Sequence, residues 1–335
     1  MKIPDIELQN ISRYRGELMG AAMLFIILFH TGLPRTDAFF GLRRCGNVGV
    51  DMFLFLSGVG LWFSWAKHPS LAHFFRNRYV RVYPAWLIMA TAHYLPQFLS
   101  GQGGYSRNAL DLAANILFNW SFWRADDLAF WYIPAIMMLY CLAPFYMMLI
   151  RRHPLYRWLP VLMMVWCVAV QWVAPIHEAV GHIEIFWSRM PIFFIGINAG
   201  DYVMRQVRLD GAAIFMIVAT FALSFGLCIY LEQQLHGRFP LFIERMVYIP
   251  LTVSGIMLLN RLFRRTPQAF NRFCRLVGAL SLEAYLIHIH FVLHYIEPHH
   301  LGYWPTALLT IVITLPLAWL LNRLVGLITQ KLLSR

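Results

Sequence analysis

A lone histidine, His30, stands near the end of an otherwise apolar stretch at residues 16–34, and a lone carboxylate, Asp51, lies near the start of the next one at 47–66. Ionisable side chains are costly to bury in a bilayer and concentrate at functional sites. A neutral imidazole is a general base near neutral pH, able to take a proton from a hydroxyl as it attacks an acyl carbon. A carboxylate beside it could orient the ring and stabilise its protonated form. Each residue also has a plainer reading: His30 as a hydrogen bond to a neighbouring helix, Asp51 as an ion pair with Arg43 or Arg44. Ser57 and Gly58 read as small residues that let helices approach closely, ahead of any nucleophilic role.

The second group with chemical potential is Phe74-Phe75-Arg76-Asn77-Arg78-Tyr79-Val80-Arg81-Val82-Tyr83-Pro84. Arg78 and Arg81 are spaced i, i+3 and share a helix face. Two guanidiniums on one face suit bidentate capture of phosphate; the competing reading is a positive anchor at a membrane surface. Arg81 and Tyr83 lie beside the apolar segment, which favours binding. The third group is Ser281-Leu282-Glu283-Ala284-Tyr285-Leu286-Ile287-His288-Ile289-His290. Ser281, Tyr285 and His288 fall on one helix face; Glu283, His290 and His294 fall on another. His290 and His294 have i, i+4 metal-ligand spacing, but the set around them is loose and no HExxH is present, so no metal is expected. A helix polar on two faces must look onto a cavity or other helices.

These groups need elements to hold them. Of 335 residues 59% are hydrophobic and 13% charged, and the mean hydropathy is +0.57. The apolar residues fall in blocks of about 20, the length that crosses a bilayer. The fold expected is an all-α, polytopic bundle of about ten transmembrane spans, near 16–34, 47–66, 80–100, 129–150, 157–175, 185–204, 211–231, 246–263, 278–296 and 304–322. The segment 109–123 is too short and polar to span and reads as interfacial or re-entrant. The sixth span, interrupted by Arg189, Pro191, Gly196 and Gly200, is the least regular. Polar residues 1–15 show no cleavable signal, and the whole chain, 1–335, reads as one integral membrane domain. Residues 1–15 form a cytoplasmic N-terminal segment, 323–335 a cytoplasmic tail, and no soluble domain is appended.

Charge tests the topology. With both termini in the cytoplasm, the 28 Lys and Arg all fall on inner segments except Arg35, Arg43, Arg44, Arg107, Arg124, Arg189, Arg238 and Arg245. That bias is the one cytoplasmic loops carry. It also explains the net charge of +12 without nucleic acid as a partner. The five cysteines are scattered and form no disulfide or metal framework. On this topology His30 lies about 22 Å along its helix from Arg15, in the outer half of the membrane, and Asp51 lies at a similar depth.

Several motifs occur together in a recognisable order. They are Phe29-His30; Gly49-Val50-Asp51 with Leu56-Ser57-Gly58; Arg78, Arg81, Tyr83 and Pro84; Phe130-Trp131-Tyr132-Ile133-Pro134 with Leu139-Tyr140 and Pro144; and Ser281 through His288. In this order and spacing the chain resembles, over essentially its whole length, the acyltransferase 3 family of integral membrane O-acyltransferases. It departs from the family pattern at Met19, where many members carry an arginine; Arg15, one helical turn earlier, is the candidate replacement.

The resemblance implies a multi-pass enzyme of the cell inner membrane, an O-acetyltransferase. It would move an acetyl group from cytoplasmic acetyl-CoA to a hydroxyl of a cell-surface or lipid-linked glycan. It implies that Arg78 and Arg81, with Tyr83, hold the CoA phosphates. His30, helped by Asp51, would deprotonate the acceptor or relay the acyl group. Trp131, Tyr132, Tyr140, Glu283, Tyr285 and His288 would line the path between. Arg189 would contact an anionic acceptor, or else pair with Glu184. A separate extracellular protein could receive the acyl group. Two other classes use similar residues: an exporter of a polysaccharide or acylated product, and a non-catalytic scaffold in which the polar groups only pack helices.

Overall fold

The computed structural model describes residues 6–101, 104–125 and 127–333. It is helical apart from one antiparallel pair of two-residue strands, Ile6–Glu7 against Arg208–Leu209. That pair, with Leu8 N–H donating to Val207 O at 3.0 Å, fastens the N-terminal segment to the turn after the Glu184–Met204 helix. The expected all-helical bundle thus carries a small strand clasp at one end.

By length and composition, seven helices among the described residues can cross a membrane: Phe40–Lys67, Tyr132–Arg152, Pro154–Trp172, Ala174–Met204, Gly211–Leu235, Leu241–Phe263 and Tyr303–Gln330. An eighth arises if Gln268–Ala279 and Ser281–His299, bent by 64° at their junction, form one broken span. The sequence pattern led to ten. The two that fall short are helices nonetheless. Arg15–His30 has only 16 residues, and Leu71–Leu99 carries Pro84, His93, Pro96 and Gln97 within its apolar part. Segment 109–123 forms two short helices, Ala109–Phe118 and Trp120–Ala125, parted at Asn119, whose φ of 49° breaks the helix. It is too short to cross, as its polarity required.

Phe40–Lys67 sits at the centre of the bundle, with 72% of its most apolar window buried, against 17% for Gly211–Leu235 at the periphery. Peripheral side chains such as Phe215 and Leu223 point outward and are 72% and 75% exposed, as a lipid-facing helix requires. The central packing pairs Val48–Lys67 with Glu184–Met204. Glycines make it possible. A Cβ built on Gly58 would lie 2.4 Å from Phe193 O, and one on Gly196 would lie 2.3 Å from Phe55 O. The small-residue reading of Ser57-Gly58 therefore holds for Gly58. It also accounts for the sixth expected span, which is one continuous helix despite Pro191, Gly196 and Gly200: its glycines are contact surfaces.

Candidate active site

His30 ends the Arg15–His30 helix. Its Nδ1 lies 2.9 Å from Ile26 O and 3.2 Å from His288 Nε2. His288 is fully buried, and its own Nδ1 lies 3.0 Å from Ala284 O and 2.9 Å from Tyr285 O. Carbonyl oxygens only accept, so His288 carries its proton on Nδ1 and presents a lone pair on Nε2. The same logic puts the His30 proton on Nδ1, donated to Ile26 O and His288 Nε2 together. His30 Nε2 is then left as the free base. The residues from His288 to Leu293 form a π-helical turn directly after the Ser281–Ile287 helix, a distortion frequent at functional sites.

Arg43 brackets the same position. Its Nη1 donates to Phe29 O and Thr31 O, both at 2.9 Å, on either side of His30. These are terminal carbonyls of the helix, which a cation satisfies well.

Asp51 does not reach His30. It is fully buried and ion-paired to Arg189, whose Nη2 also donates to Asn47 Oδ1 at 3.0 Å and whose guanidinium lies 5.5 Å over the Tyr248 ring. The sequence expectation that Asp51 orients the imidazole is corrected on this point: the orienting contact belongs to His288. Neither alternative pairing occurs. Arg44 meets Glu232 at 3.1 Å, and Glu184 pairs with Arg245. The expected placement of Arg189 against an acceptor also fails, because at 1% exposure it faces the interior. Both outcomes follow from one cost: a charge buried in a bundle must be paired wherever a partner of opposite sign is packed against it.

Toward the opposite end of the Arg15–His30 helix lies a cavity of ≈ 70 Å³. Its wall includes Arg15, Met19, Ser57, Arg78, Arg81, Tyr132, Tyr140, Ser281 and Tyr285, and no carboxylate. Arg15 Nε donates to Leu56 O at 3.3 Å, and Arg78 Nη2 donates to Ser64 Oγ at 3.1 Å. None of the three arginines forms an ion pair among the described residues. Gly60 leaves room for one of them, since a Cβ there would lie 3.0 Å from Arg15 Nη2. Three unneutralised guanidiniums around one cavity form an anion site suited to phosphate.

The expected residues divide accordingly. Arg78, Arg81, Tyr132, Tyr140 and Tyr285 line the cavity, and Arg15 stands beside Met19. Tyr83 does not belong to it: its hydroxyl donates to Leu117 O at 3.1 Å and ties down the Ala109–Phe118 helix. Trp131 packs edge-on against Tyr132 and lies outside the lining. Glu283 accepts from Asn322 Nδ2 at 2.8 Å, joining the Tyr303–Leu333 helix to its neighbour instead of facing the cavity. Tyr285 is the link between the two sites. It lines the cavity, receives the Tyr132 N–H on its hydroxyl at 3.3 Å, and offers its carbonyl to His288. Arg43 was legible in the sequence only as a possible partner for Asp51; nothing local marks it as a clamp on the His30 turn.

Residues 20–323 match a family model described as an acyltransferase domain. Neither the curated proteins nor the solved structures gave a match.

Proposed function

Since the chain belongs to the acyltransferase 3 family, we propose that this membrane acyltransferase moves an acetyl group from cytoplasmic acetyl-CoA to a hydroxyl of a cell-surface or lipid-linked glycan. In this reading the protein works in the cell inner membrane with both termini in the cytoplasm. Arg15, Arg78 and Arg81 hold the CoA phosphates at the inner mouth. The acyl arm runs past Tyr132 and Tyr285 toward His30, about 22 Å along the helix from Arg15.

The chemistry follows from the tautomers. His30 Nε2 takes the proton of the acceptor hydroxyl as its oxygen attacks the thioester carbon, forming the C–O bond. The tetrahedral intermediate collapses with cleavage of the C–S bond, and the departing CoA thiolate takes the proton back from His30 Nε2. Throughout, His30 Nδ1–H stays on His288 Nε2 and Ile26 O, which hold the ring in place and stabilise its charged form. Asp51 and Arg189 act at a distance, by fixing the central helix pair.

The observation that carries this reading is the carboxylate-free arginine cavity joined through Tyr285 and His288 to His30. The test uses purified protein in lipid nanodiscs with radiolabelled acetyl-CoA, together with mass spectrometry of glycan acetylation in cells. His30→Ala is expected to abolish transfer while retaining acetyl-CoA binding, and Arg78→Ala to weaken that binding. Unchanged glycan acetylation in both variants would sink the enzymatic reading in favour of an exporter or scaffold.

A further inference from the structure

Attack on a thioester develops negative charge on its carbonyl oxygen, which calls for a hydrogen-bond donor fixed in advance. The donors already placed at His30 are committed elsewhere. The two imidazole Nδ1–H groups serve Ile26 O, Ala284 O and Tyr285 O, and that of His30 also serves His288 Nε2. Arg43 Nη1 serves Phe29 O and Thr31 O, and Arg43 is not part of the arginine cavity.

An uncommitted donor stands on the cavity side. Tyr132 is the first residue of the Tyr132–Arg152 helix, so its N–H has no partner within that helix. The Tyr285 hydroxyl accepts it at 3.3 Å. A phenol also has one proton to give, and among the described residues the Tyr285 O–H gives it to nothing. Accepting from an amide polarises the hydroxyl and strengthens it as a donor in turn. Both residues of this contact line the arginine cavity, whose wall carries no carboxylate to repel an anion.

Tyr285 also lies next to the base pair. Its ring centroid is 5.9 Å from that of His288, and the His288 ring is 5.1 Å from His30. Its backbone carbonyl accepts from His288 Nδ1 at 2.9 Å. One residue therefore lines the donor cavity with its side chain and fixes the tautomer of His288 with its backbone.

We propose that Tyr285 is a catalytic residue, whose hydroxyl donates to the thioester carbonyl oxygen and stabilises the oxyanion of the tetrahedral intermediate. This rests on the acyltransferase reading above and adds its electrophilic half. As the acceptor oxygen bonds to the carbonyl carbon, the C=O π pair moves onto the oxygen held by Tyr285. On collapse that pair re-forms the C=O bond, the C–S bond breaks, and its electrons leave on sulfur. Tyr285 keeps its proton throughout; only His30 transfers one.

Two variants test the assignment in the full chain. Tyr285→Phe keeps the ring and loses the hydroxyl; an ortho-fluorinated tyrosine at the same position keeps the hydroxyl and makes it a stronger donor. Transfer is measured with radiolabelled acetyl-CoA in membrane vesicles that hold the native acceptor. Purified protein in lipid nanodiscs gives the acetyl-CoA Kd, the thermal unfolding midpoint and the infrared band of acetyl-CoA labelled at its carbonyl carbon. Tyr285→Phe is expected to lower kcat about a hundredfold to a thousandfold with Kd unchanged, and to move the carbonyl band to higher wavenumber. The fluorinated variant should move the band below its wild-type position. A hydroxyl that only caps the Tyr132 N–H would lower the midpoint and leave the band in place. Wild-type kcat in Tyr285→Phe, or a band that stays put in either folded variant, overturns the proposal. If Tyr285→Phe does not fold, the fluorinated variant decides. Wild-type protein that neither binds acetyl-CoA nor transfers its acetyl group overturns the reading on which the proposal rests.

Discussion

His30 and His288, 258 positions apart in the chain, meet at 3.2 Å between Nδ1 and Nε2. Backbone carbonyls fix the tautomer of both rings, so the contact has a direction: His30 donates, His288 accepts, and the base nitrogen points away from the pair. In the proposed mechanism the buried His288 imidazole takes the place that a carboxylate holds in a catalytic triad, without a second charge beside His30.

This relationship predicts a split in the kinetics. His288→Ala should lower kcat for transfer about tenfold to a hundredfold and leave KM for acetyl-CoA unchanged, whereas His30→Ala should lose about a hundredfold or more. His288→Gln keeps an oxygen acceptor and should restore part of the rate. A fall in both kcat and donor affinity in His288→Ala, with no recovery in the glutamine variant, would mean that His288 only packs.

The arginine cavity predicts that Arg15 matters although its position departs from the family pattern. A hydrogen bond to a charged group contributes about 1.5–3 kcal/mol, so Arg15→Ala and Arg78→Ala should each raise the acetyl-CoA Kd roughly tenfold or more. The loss should shrink at high salt, where the wild-type advantage is itself screened. Tyr83→Phe serves as the contrast, because its hydroxyl is spent on Leu117 O. Its Kd should stay at the wild-type value by isothermal titration.

The Asp51–Arg189 pair predicts a stability phenotype. Removing one member of a buried ion pair costs about 3–5 kcal/mol, so Arg189→Ala should lower the thermal unfolding midpoint sharply. Asp51→Ala with Arg189→Ala should be less harmful than the Arg189 change alone. If Asp51→Asn instead lowers kcat at an unchanged midpoint, Asp51 acts on the chemistry and the structural assignment is wrong.

Helix contact predicts a sequence-specific intolerance. Gly58→Val or Gly196→Leu forces side-chain atoms into backbone carbonyls at 2.4 Å and 2.3 Å, and neither variant should elute as a monodisperse peak. Gly226→Leu, on an open helix face with nothing within 4 Å of a Cβ, should elute like wild type.

By itself the sequence determined the class and the chemistry available. Long apolar blocks can only become helices in a bilayer, because every backbone group must be satisfied within its own segment. Helical periodicity placed Arg78 with Arg81, and Tyr285 with His288, on common faces, and rise per residue set the separation of Arg15 and His30 at about 22 Å along the helix. What periodicity cannot give is the direction a face points around the bundle. That direction is set by which helices touch, and here it hangs on backbone contacts such as Gly58 with Phe193 O. Partner choice was therefore decided only in the tertiary structure: Asp51 to Arg189, Glu184 to Arg245, Tyr83 to Leu117 O, and His288 to His30. The span count shifted for a different reason, the length and composition of two helices. The apolar blocks at 16–34 and 80–100 read as spans in the sequence, but the helix formed from the first has only 16 residues and the Leu71–Leu99 helix carries Pro84 and Pro96, so neither is among the seven helices long and apolar enough to cross a membrane.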